Sequence, residues 1–178
     1  MDNIKTLTVN DRSNKTRKLV LTSILFAISL VLAWLESILP PLPIAVPGIK
    51  MGLSNIAVMY TLFFVGAKQA YGIAILKSGF VVITRGLIAG VFSLTGGILS
   101  VTVMLLILVF SKRSASYSIV SIFGAITHNI GQFIVISLLY AGTNVWFYFP
   151  VLLVSGIVTG LITAGILKVI IPAFKKLV

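Results

Sequence analysis

Runs of about twenty apolar residues recur from Leu19 onward, parted by short basic, glycine-rich or proline-rich stretches. That length is what an α-helix needs to cross the hydrocarbon core of a bilayer. The pattern predicts six spans at about Leu19–Ile38, Met51–Val65, Gln69–Thr84, Leu94–Phe110, Tyr117–Tyr140 and Trp146–Ile171, the second of them short. The expected fold is an all-α integral membrane protein: a six-transmembrane-helix bundle forming one membrane domain over 19–178, behind a basic cytoplasmic tail at 1–18. Basic residues precede the first span, as they would in a signal peptide. The run is long for such a segment, however, and ends in Trp-Leu-Glu without a small-residue cleavage site, so it reads as a retained helix.

Lysine and arginine set the orientation. With the N-terminus inside, the cytoplasmic segments hold Lys5, Arg12, Lys15, Arg17 and Lys18, then Lys68, then Lys112 and Arg113, then Lys175 and Lys176. The outer connections hold only Lys50 and Arg85. Both termini are therefore expected in the cytoplasm. Two outer connections are unusual. Leu39–Lys50, "LPPLPIAVPGIK", carries four prolines and is expected to be extended and semi-rigid, either a connector or a stiff flap over an outward-facing pocket. Arg85–Ser93, "RGLIAGVFS", is apolar apart from its arginine and too short to span, so it is expected to lie at the interface or dip back in. Small residues at i, i+4 spacing (Gly86/Gly90, Ser93/Gly97, Gly156/Gly160 with Ala164, Ser23/Ala27) allow close helix approach, within the bundle or against a partner.

Against this apolar background the polar positions can be placed one by one. Lys77 falls near the middle of the third span and His128, the single histidine, near the middle of the fifth. Gln132 is one turn further along the same helical face as His128, and Asn129 points to a neighbouring face. Asn55 lies about one turn into the second span, and Glu36, Lys50 and Arg85 lie at the outer ends of their helices. Ionisable groups at bilayer depth are costly and face a cavity or a partner. Glu36, Lys50, Asn55, Lys77, Arg85, His128, Asn129 and Gln132 thus form an outer-half set with no counterpart in the inner half. Such a set implies a substrate-binding pocket open to the outside and closed below by apolar packing. Its three cations favour an anionic or carboxylate-bearing small molecule. Each residue also has a plainer reading. Lys50 and Arg85 can snorkel to headgroups, Asn55 and Asn129 can bond across helices, His128 and Gln132 can form a structural clasp, and Lys77 can pair with Glu36.

Composition narrows the field. Only 10% of residues are charged against 58% hydrophobic, and the mean hydropathy is +1.16, which leaves little room for a soluble domain. The net charge of +11 fits basic segments against anionic lipid better than it fits nucleic acid. Without cysteine there is no thiolate chemistry, disulfide or thiolate metal site. The only aspartates, Asp2 and Asp11, lie in the tail, which argues against magnesium-diphosphate chemistry. Lys77-Ser78 lacks the preceding glycine of a phosphate loop. The chain is expected to be no enzyme, with no intrinsic cofactor or metal, and to draw any energy from a partner.

Three stretches carry a family resemblance: "PGIKMGLSNIAVMYTLFFVG" (Pro47–Gly66), "RGLIAGVFSLTGGILSVTVM" (Arg85–Met104) and "GAITHNIGQ" (Gly124–Gln132). With them the chain, from about Leu19 to its end, resembles the Gx transporter family, also catalogued as heptaprenyl diphosphate synthase component I. That family is similar to the substrate-binding S components of energy-coupling factor (ECF) vitamin transporters. The resemblance implies a six-helix bundle with an outward-facing site, a transmembrane coupling subunit and two ATPases as partners, and a bacterial cytoplasmic membrane location. It also implies a docking motif on the first helix, matched here by Ser23 and Ala27, with serine where alanine is usual. Some members resemble the small membrane component of Gram-positive flavin-based extracellular electron transfer. That alternative implies an extracytoplasmic redox partner and a non-covalent flavin or quinone. A third reading is an accessory subunit of a prenyl diphosphate synthase, docked to a soluble catalytic partner.

Overall fold

The structure, a computed structural model, describes residues 2–38, 52–140 and 145–175, with side chains placed between 14 and 172. Among the described residues the chain is all α: α1 (Asp2–Ile38), α2 (Ser54–Phe64), α3 (Ala67–Arg85), α4 (Leu87–Phe110), α5 (Tyr117–Leu139) and α6 (Phe149–Lys175), with a 3₁₀ turn at Val145–Tyr148 before α6. Four segments are long and apolar enough to cross a membrane: Asn14–Ile38, Leu87–Phe110, Tyr117–Leu139 and Val145–Pro172. The α2 helix is apolar but shorter, and α3 is diluted by Lys68, Lys77 and Arg85. The bundle turns large apolar side chains outward, with Ile83 84% and Phe110 83% exposed. Water would not tolerate so continuous an apolar surface, whereas lipid does.

The basic N-terminal residues are helical, because α1 runs from Asp2. At about 1.5 Å per residue the whole helix is roughly 55 Å long, well beyond the ~30 Å hydrocarbon core. Arg85–Ser93 is not a separate connection, because all but its first two residues belong to α4. Gly86, at φ 90°, is the single residue between α3 and α4, and the helix restarts at Leu87. A positive φ at glycine reverses the chain in one step. The missing side chain of Gly90 then lets the first turn of α4 lie against Val82 of α3.

Successive helices pack as antiparallel neighbours. The α5 helix lies between α4 and α6, α3 packs on α4, and α1 lies against α2 and α3. Backbones meet closely on both sides of α5. A Cβ at Gly131 would come 2.8 Å from the Gly96 Cα of α4, and a Cβ at Gly160 of α6 would come 2.5 Å from the Ile122 Cα. Of the small-residue pairs expected from sequence, Gly156 and Gly160 are thus used inside the bundle, while Ser23 and Ala27 lie exposed on α1. Ser23 donates to Leu19 O at 3.0 Å on its own helix. The apolar core, including Leu25, Met59, Ile73, Val101, Val120 and Leu167, fills the end of the bundle nearer the α4–α5 turn. Lipid gives apolar side chains no reason to seek each other, so shape and van der Waals packing hold this core. Aromatic groups mark both ends: Phe133, Trp146 and Phe149 at one, Tyr60, Phe63, Phe64 and Tyr117 at the other. That is the placement favoured at membrane–water boundaries.

A polar cavity at one end of the bundle

Antiparallel packing brings the C-terminal ends of α1 and α3 beside the N-terminal ends of α2 and α4. The α2 helix begins here without a capping side chain of its own at Leu53. Glu36, from the last turn of α1, supplies the acceptor: its Oε1 takes the Leu53 N–H at 2.6 Å and its Oε2 takes the Ser54 hydroxyl at 3.4 Å. A carboxylate is well placed against the positive end of a helix dipole. Lys77, 4% exposed in the middle of α3, donates to Asn55 Oδ1 at 2.8 Å and to Ser54 Oγ at 3.3 Å. Lys77 and Glu36 are therefore joined through Ser54 rather than by a direct ion pair. The ammonium is stabilised by neutral oxygens on one side and a carboxylate one residue away.

On the facing wall, Gln132 Nε2 lies 3.4 Å from His128 Nε2, one turn apart on α5. With the amide nitrogen as donor, the ring Nε2 accepts and the ring proton sits on Nδ1. Nδ1 is buried without a partner and lies beside the Gly96 backbone of α4. Asn129 is 7% exposed and bonds across helices, donating to Leu152 O at 2.9 Å and Ser155 Oγ at 3.1 Å on α6. Arg85, exposed at the end of α3, reaches Ala33 O of α1 at 3.4 Å.

These groups enclose one cavity of about 180 Å³. Seven of the eight candidate residues line it: Glu36, Asn55, Lys77, Arg85, His128, Asn129 and Gln132. Lys50 and the proline-rich connection lie outside the described residues. Gly52, Ser54, Ser93 and the apolar Ala33, Val81, Ala89 and Phe92 complete the lining and were not picked out from sequence as site residues. Ser54 had a signal, since a serine opening a short apolar helix beside Asn55 is placed to hydrogen-bond there. The cavity has one cationic and hydrogen-bonding side and one apolar side.

Below the cavity lies the apolar core, and the packing between the two is not complete. A second, smaller cavity of about 30 Å³ lies deeper in the bundle, lined in part by Ser100, Ser121, Thr159 and Thr163. It shares Gly52, Asn55, His128 and Asn129 with the larger one. Sequence reasoning passed over these hydroxyls because Ser and Thr in apolar helices are normally bonded to their own backbone.

Fold and site together define a helical membrane protein with a polar, cation-biased cavity at one end of its bundle. The model of a family described as heptaprenyl diphosphate synthase component I matches residues 25–170, and the chain belongs to that family. No curated protein and no solved structure matches the chain.

Proposed function

We propose that this protein is a non-catalytic, substrate-binding membrane subunit. It captures a small anionic or carboxylate-bearing solute from the outer side and relies on partner subunits for energy. All six helices cross or enter the bacterial cytoplasmic membrane, with both termini inside, so that the cavity opens outward. One observation carries the reading: polar side chains scattered between Glu36 and Gln132 converge on a single cavity around a buried lysine. A buried ammonium with neutral hydrogen-bond partners is a ready counter-charge for an anion. Gln132 and the His128 ring fix orientation, and the apolar wall at Val81 and Phe92 takes the solute's body. The exposed Ser23/Ala27 face of α1 is the docking surface for an ECF-type coupling subunit and its ATPases.

Mild-detergent purification of the tagged protein from its host, with mass spectrometry of co-purifying proteins and small molecules, tests this. Recovery of a transmembrane coupling subunit and ATPases with a bound anion supports the proposal. An extracytoplasmic redox partner with flavin or quinone, and no ATPase, would replace it with membrane electron transfer. A soluble prenyl diphosphate synthase would replace it with an accessory role in the chemistry that the family description names.

A further inference from the structure

Most hydroxyls in these helices are spent locally. Thr61 donates to Ala57 O at 2.7 Å, Thr102 to Ile98 O at 2.8 Å and Thr127 to Phe123 O at 2.7 Å. Ser121 departs from that habit. It is 3% exposed, and its Oγ is buried with no hydrogen-bond partner. Among the described residues, Ser100 and Thr163 (4% and 5% exposed) make no side-chain hydrogen bond either. The three residues come from α5, α4 and α6, yet all line the same 30 Å³ cavity. A buried hydroxyl without a partner is costly, as at Ser121, and a void lined by Ser100, Ser121 and Thr163 has polar groups to offer an occupant. At about 10–15 Å³ of such volume per water, the space admits about two or three waters.

The chemistry of the lining decides what that occupant is. No acidic residue lines the cavity, and the Lys77 amine is bonded to Asn55 on its rim, so nothing would neutralise a cation there. The space is also too small for a solute body. What remains is a neutral group that both donates and accepts hydrogen bonds.

We propose that the outer cavity continues past a neck at Gly52, Asn55, His128 and Asn129 into an inner subsite for a neutral hydrogen-bonding group, filled by water when no solute is present. Ser121 is seven residues from His128 along α5, so at about 1.5 Å per residue the subsite reaches roughly 10 Å further from the cavity mouth. It deepens the proposed function, since a solute held by its anionic end at Lys77 would present a hydroxyl or carbonyl to this subsite.

The chain has no cysteine, which makes a thiol probe clean. Ser121→Cys is nearly isosteric, and Thr163→Cys is a second variant should the first fail to fold. Each is purified in detergent, washed free of small molecules and exposed to Ag⁺, a thiol-reactive ion of about water size. Free thiols are then counted by alkylation after denaturation. Val120→Cys, at the same depth but in the dry core with 0% exposure, is the reference. Ser121→Cys is expected to react at least about tenfold faster than Val120→Cys, because thiolate chemistry needs a wet path. Equal rates at the two positions would overturn the proposal. No solute enters this assay, so its failure would leave the outer-cavity reading standing, and absence of a bound solute would leave the inner subsite standing.

Discussion

At the scale of single residues, the cavity separates groups that hold the fold from groups free to meet a solute. Asn129 belongs to the first kind, because its amide already bridges α5 to α6 through Leu152 O and Ser155 Oγ. Asn129→Leu is expected to lower stability by about 1–2 kcal/mol, the worth of an interhelical hydrogen bond in a membrane protein, read as thermal unfolding in detergent. Unchanged stability would return Asn129 to the list of ligand-facing groups. His128 belongs to the second kind, because among the described residues its ring hydrogen-bonds to no side chain but Gln132, on the same helix, and bridges to no other helix's side chain. His128→Leu is expected to weaken solute binding about 10–100-fold, matching about 1.5–3 kcal/mol for a hydrogen bond to a charged group, while the protein stays monodisperse. Titration of the co-purified solute into washed variant protein measures this. Lys77, Asn55, His128 and Gln132 were legible in the sequence because a polar side chain stands out in an apolar run. Ser54, Ser100, Ser121 and Thr163 were not, since a hydroxyl in lipid can always bond its own helix and only packing shows that it does not.

At the scale of helices, α5 is wedged between α4 and α6, and glycine makes the close fit on both sides possible. Gly131 and Gly96 bring α5 and α4 into backbone contact beside His128. Gly131→Leu is expected to cost about 1–3 kcal/mol through overpacking, and to splay the wall that carries His128 and Gln132. Gly72→Leu is the control: nothing lies within 4 Å of its missing Cβ, and a change within about 0.5 kcal/mol is expected. Leucine is the better helix former, so propensity favours both changes, and comparable losses at the two sites would show that close approach at Gly131 does not set its cost. The helices themselves were readable from the apolar runs, and their boundaries fall within a few residues of expectation, except at the starts of α1 and α4. The start of α4 at Leu87 was hidden because one glycine replaces a loop. An apolar stretch with an arginine before it looks the same whether it opens a helix or skirts a membrane.

At the scale of the whole molecule, the charge distribution and the cavity point in opposite directions. Lys112 and Arg113 sit in the α4–α5 turn, at the end away from the Glu36–Arg85 cavity. If basic residues mark the cytoplasmic face, the cavity faces out. Single cysteines report this directly in intact cells with a membrane-impermeant maleimide. Tyr148→Cys, beside the cavity end of α6, is expected to label from outside, and Ser114→Cys in the α4–α5 turn only after the cells are opened. The reverse pattern would make the cavity an inward-facing site and exclude capture of an external solute.

The central claim is that this cavity binds a small anion through Lys77, and native mass spectrometry of gently purified protein tests it most directly. The wild-type protein is expected to carry an added mass of one small acidic molecule, released on activation, and Lys77→Leu purified in parallel is expected to be bare at the same folded charge-state distribution. An added mass on both proteins, or on neither, would contradict the claim.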